Sequence, residues 1–152
     1  MKYVFKDRNG GVELYKRGEI VVVILSGACG TAVINYYAEK LKKLGQTYEG
    51  QSWAYLCNSK NFQATTPEAQ QIIVGTYSSC IKLGCCFEAY CFDSYVGKAQ
   101  TQTIMHDCGN HIDIETVLFE NEQKAEAFLL ENLAQLSKSR KQTDVSSSNQ
   151  VN

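Results

Sequence analysis

The chain has 152 residues, 44% hydrophobic and 20% charged, and its fifteen basic side chains against sixteen acidic ones leave a net charge of −1. That length suits one domain with a core of its own, and the near-zero charge supplies no field to draw the protein to nucleic acid or to an anionic membrane. The longest apolar run, Ile20-Val21-Val22-Val23-Ile24-Leu25, is too short to span a bilayer, and Met1-Lys2-Tyr3-Val4-Phe5-Lys6-Asp7 lacks the apolar core of a secretion signal, so a cytoplasmic protein is expected.

Seven cysteines make an odd number, and most of them sit inside apolar runs. In a domain large enough to hold itself together they read as reduced thiols packed as small hydrophobes.

Short β-type runs alternate with capped amphipathic stretches along the chain. Residues 3–5 are a short strand or a lead-in, Asn9-Gly10-Gly11 is a turn, and Val12-Glu13-Leu14-Tyr15-Lys16 alternates as a half-buried strand should. Arg17-Gly18-Glu19 connects it to a strand at residues 20–25 that is apolar enough to be buried on both faces. A helix with the stripe Val33/Ile34, Tyr37, Leu41 and Leu44 follows, with Gly45 as its stop. Trp53-Ala54-Tyr55-Leu56-Cys57 is the next strand, and residues 58–65 are a connection. Thr66-Pro67-Glu68 then opens a second helix: a hydroxyl to cap it, a proline at its first position and an acid at its positive end.

Residues 85–92 read as a third core strand, and Asp93-Ser94 as the cap of a helix over residues 95–108. Its apolar stripe is poor, Ile104, Met105 and Cys108 among Gln and Thr, which predicts loose docking. Residues 114–119 are expected as a last strand and residues 122–136 as a last helix, packed through Ala125, Phe128, Leu129, Leu133 and Leu136. The domain is thus placed at residues 1–136, and the Ser, Lys and Gln of residues 137–152 read as a disordered polar tail.

Four stretches in this order carry a family resemblance: Val12-Glu13-Leu14-Tyr15 through to Gly27, Trp53 to Cys57 leading into Thr66-Pro67-Glu68-Ala69, Cys91-Phe92-Asp93-Ser94, and Val117 to Leu129. Together they resemble the STAS superfamily (sulfate transporter and anti-sigma factor antagonist domains), in particular its stand-alone, STAS-like bacterial members. The resemblance implies an α/β fold with a mixed sheet of about four to five strands covered by about four helices. Signalling members of that family carry an Asp-Ser-Ser-Gly-type segment whose serine a partner kinase phosphorylates. The matching positions are Ala64, Thr65, Thr66 and Pro67, which keep two hydroxyls but neither the Asp nor the Gly. Thr65 and Thr66 are therefore the regulatory or partner-binding candidates, with helix capping as the plain role of Thr66. STAS-like proteins also resemble lipid-carrier domains, which implies an apolar ligand under the helix at residues 95–108. Tyr95, Ile104 and Met105 are the ligand or lid candidates on that reading.

Other constellations are weaker. His106-x-Cys108, with His111 nearby, is tighter than the usual zinc spacing, and a second close pair of ligands is missing, so no metal and no cofactor is expected. A Cys–His nucleophile needs an activated thiolate that no pattern here marks, and no catalytic residue is assigned. Gly27-Ala28-Cys29-Gly30 stands where phosphate loops stand but lacks their glycine and lysine pattern. The expectation is a non-enzymatic binding or regulatory module that takes an apolar ligand or a membrane surface under a loosely held helix. The alternatives are an anti-sigma-antagonist-type partner-switching protein and a Cys/His-based enzyme. A protein partner, peripheral membrane contact and pairing with a second copy are all compatible with it.

Overall fold

Residues 20–25 offer no polar side chain to turn toward water, and the fold gives both faces of that run a cover. In the computed structural model, which describes the backbone of residues 1–150 and the side chains of residues 1–142, the run belongs to β3 (Ile20–Cys29) at the centre of a five-stranded sheet. The order follows the chain: β1 (Lys2–Lys6), β2 (Gly10–Arg17), β3, β4 (Trp53–Thr65) and β5 (Cys85–Phe92). The first two pairings are antiparallel and the last two parallel, so the sheet is mixed. Parallel neighbours need crossovers, which α1 (Thr31–Gln46) and α2 (Pro67–Lys82) provide.

The two faces have separate cores. Val21, Val23 and Tyr55 pack with Tyr37 and Leu41 of α1, Ile73 of α2, and Ile104 and Met105 of α3 (Tyr95–Asp107). On the other face Ile20, Val22, Leu56 and Ala89 meet Ala125, Leu129 and Leu133 of α4 (Glu122–Gln150). The α/β architecture expected from the sequence, a mixed sheet of about four to five strands with about four helices, is present, and the described residues form five strands and four α-helices.

Several local expectations change. The stretch over residues 58–65 is no loop: β4 continues through it, pairing with β3 as far as Cys29↔Thr65 across two register shifts. Residues 114–119 do not form a strand. The Asp113 carboxylate accepts from Glu115 N at 3.0 Å and winds Ile114–Val117 into a 3₁₀ turn, after which Leu118 makes a single parallel bridge to Tyr90. Gly45 does not end α1, which runs on to Gln46. It is buried against the Trp53 ring, where a Cβ would come within 2.8 Å of Cζ2. Phe128 is half-buried, resting on Phe119 with ring centroids 4.9 Å apart.

The stretch read as a disordered tail from residue 137 has helical backbone as far as Gln150, since no Gly or Pro interrupts it. Residues 137–142 are exposed along that extension, and residues 151 and 152 lie outside the described residues. No helix among the described residues is long and apolar enough to cross a membrane.

Candidate functional site

The carboxyl ends of the parallel strands β3, β4 and β5 share one edge of the sheet, where ligands of open α/β sheets tend to bind. There β4 passes into α2 through Thr65 and Thr66, and β5 passes into α3 through Asp93 and Ser94. Thr66 is exposed at the helix start, and its Oγ1 accepts from Ala69 N at 3.2 Å, so it is the cap its position predicts. Thr65 faces inward, 8% exposed, and its Oγ1 has no hydrogen-bond partner among the described residues. Ser94 caps α3 by accepting from Gly97 N at 3.1 Å and ties the helix to β4 by donating to Gln63 O at 3.0 Å.

The three candidates on α3 separate. Tyr95 is 87% exposed and Val96 beside it 56%, so the first turn of the helix presents apolar surface outward. Ile104 and Met105 are buried, and each lines one of two small cavities. One, of about 20 Å³, lies among Tyr37, Tyr55, Thr65 and Ile104; the other, of about 40 Å³, lies among Leu41, Tyr55, Tyr77 and Met105. A cavity needs about 10–15 Å³ to hold a buried water, so these spaces suit one and about three waters. Sites for drug-sized ligands have volumes of about 300–1,000 Å³.

Gln and Thr weaken the apolar stripe of α3, but they give it polar anchors. Gln100 accepts from Thr65 N at 2.9 Å and donates to Thr65 O at 3.0 Å. Two residues on, Gln102 donates to Ile112 O at 3.0 Å and accepts from Ile114 N at 2.8 Å. Gly97 lets the helix approach β4, since a Cβ there would lie 2.8 Å from the Phe62 ring. Neither glutamine is visible as a site residue in the sequence, because the bonds join segments 35 and 10–12 positions apart.

Between the sheet and its helices lies a set of tyrosine hydroxyls, from Tyr37 of α1, Tyr77 of α2, Tyr55 of β4 and Tyr90 of β5. Tyr37 and Tyr55 hydroxyls are 3.0 Å apart, and the Tyr90 hydroxyl lies 2.9 Å from that of Tyr77 and 2.7 Å from Glu88 Oε2. Burial pushes Tyr37, Tyr55, Tyr77 and Tyr90 well above the ordinary phenol range, so they act as neutral hydrogen-bonding groups. Burial likewise pushes Cys29 and Cys57 up to about 11 and Cys80 up to about 12, and raises Cys85, Cys86, Cys91 and Cys108. Every thiol is thus held in its protonated form at neutral pH, the opposite of what a cysteine nucleophile requires. The exposed rings of His106 and His111 stand edge to face, 5.2 Å apart. Among the described residues no group of three His, Cys, Asp or Glu could hold a metal ion.

No family model matches the chain, and no curated protein does. Among solved structures the chain is similar to an anti-sigma factor antagonist from Mycobacterium paratuberculosis, at 12% identity and a TM-score of 0.49. The match covers 85% of this chain and 94% of that one.

Proposed function

We propose that the chain is a non-enzymatic, STAS-like regulatory module that binds a protein partner at the carboxyl edge of its parallel strands. One observation carries this reading: the first turn of α3 holds Tyr95 at 87% and Val96 at 56% exposure, directly after the β5–α3 junction. Exposed aromatic side chains on a rigid element are typical anchors of protein interfaces. Thr66 lies at the same edge and is the accessible one of the two hydroxyl candidates, since Thr65 is turned into the core. The sequence resemblance to the STAS superfamily, which includes anti-sigma factor antagonists, supports a regulatory module, while Ala64-Thr65-Thr66-Pro67 lacks the Asp and Gly of the kinase-controlled members.

The apolar-ligand reading loses ground on volume. Cavities of about 20 and 40 Å³ under α3 hold no acyl chain unless the helix leaves its seat, and two Gln100 bonds tie it to the end of β4. Protonated thiols weigh against a Cys/His enzyme.

The reading is tested with Tyr95→Asp as bait beside the unaltered chain in a lysate of the source cells. A partner retained by the unaltered protein and lost from Tyr95→Asp at equal thermal stability supports it. An identical set of retained proteins from both baits contradicts it.

A further inference from the structure

Glu88 is the one charged residue of β5, and its carboxylate lies on the α2–α3 face of the sheet. Oε2 is 2.7 Å from the Tyr90 hydroxyl, and Oε1 accepts from Asn110 Nδ2 at 2.7 Å. None of the ion pairs among the described residues includes it. A carboxylate can accept about four hydrogen bonds, so this one keeps acceptor capacity in a place where an uncompensated charge is costly. Burial raises its pKa, as expected of a carboxyl without a basic neighbour.

Two spaces meet at Glu88 and Asn110. Inside lies the cavity of about 40 Å³ with the rings of Tyr55 and Tyr77 in its wall. Outside, along β5, runs a groove of about 570 Å³ lined by Ile81, Phe87, Ile112, Val117 and Phe128. Ile81 is 57% and Ile112 41% exposed there, apolar surface that the fold leaves uncovered. The groove has the volume of a small-molecule site, and the hydrogen-bonded pair Glu88 and Asn110 adds polar groups to its apolar lining.

We propose that this groove binds a small aliphatic ammonium ion, with its nitrogen on the Glu88 carboxylate and its alkyl chain along Ile81 and Ile112. The choice of a cation follows from charge. Among the described residues Glu88 is an acceptor without an ion-pair partner, and an ammonium group brings three donors and the counter-charge together. An alcohol of the same shape would supply one donor and no charge. The site is separate from the Tyr95 edge, so it stands or falls independently of the partner reading.

The test is an NMR titration of the methyl signals of Ile81 and Ile112 with butylamine and, separately, with butanol at neutral pH. The proposal expects butylamine to shift both signals and to bind at least about tenfold more tightly than butanol. Glu88→Gln should remove that preference while leaving the response to butanol in place. Equal affinity for the two probes in the unaltered chain, no shift at either methyl, or an undiminished preference in Glu88→Gln would each overturn it. The comparison of probes needs no variant, so it holds even if Glu88→Gln folds poorly.

Discussion

Gln100 pairs with the backbone of Thr65 through both ends of its carboxamide, one bond of 2.9 Å from Thr65 N and one of 3.0 Å to Thr65 O. The side chain thus does at the end of β4 what a neighbouring strand would do, satisfying a donor and an acceptor that would otherwise be buried unpaired.

Removing the pair is expected to loosen α3 selectively. Gln100→Ala should cost about 1–3 kcal/mol, because both Thr65 backbone groups lose their partner. Hydrogen exchange should speed up across Tyr95–Asp107 and leave Pro67–Lys82 unchanged. Unchanged exchange in α3 would mean that its apolar contacts, chiefly Ile104 and Met105, hold it without the carboxamide.

Alkali should destabilise the protein through its buried thiols. Unfolded cysteines have the ordinary value of 9.0, whereas folded Cys29 and Cys57 are near 11 and Cys80 near 12. The folded state therefore holds these protons more tightly. That contribution is complete below pH 9.0 and is lost as the pH rises through about 11 to 12. The buried tyrosines act in the same direction. Denaturant midpoints measured from pH 8 upward (about one unit per step) should fall steadily, and a flat profile would show the thiols to be solvated.

The helical extension beyond Leu136 should contribute little to folding. Residues 137–142 are exposed, and an isolated exposed helix of this length is marginal in water. Truncation after Leu136 should change unfolding free energy by less than about 0.5 kcal/mol. A larger loss would place part of the extension against the domain.

Most of the fold was legible because local chemistry and tertiary structure agree. The all-apolar residues 20–25 could only be a doubly covered strand, and Thr66-Pro67-Glu68 could hardly be anything but a helix start. What failed depends on partners distant in sequence. Residues 58–65 look like a polar loop until β3 is beside them, and Gly45 looks like a stop until the Trp53 ring is known to occupy the space of its Cβ. The strand expected at residues 114–119 was lost to Asp113, whose carboxylate bonds locally and turns the chain. At the site, Ile104 and Met105 were legible as inward-facing residues of α3, but the exposure of Tyr95 was not. Glu88 had left a signal, a lone charge in the core strand Cys85–Phe92, that marks it only once β5 is known to line a groove.

The proposed docking of a protein partner where α3 begins is open to site-specific photocrosslinking. A benzophenone amino acid is placed at Tyr95, and in a control chain at Val4, which is 46% exposed on the edge strand β1. Irradiation in the source cells should join a discrete protein to position 95 and not to position 4. Equal labelling at the two positions, or none at position 95 with the protein folded and abundant, would contradict it.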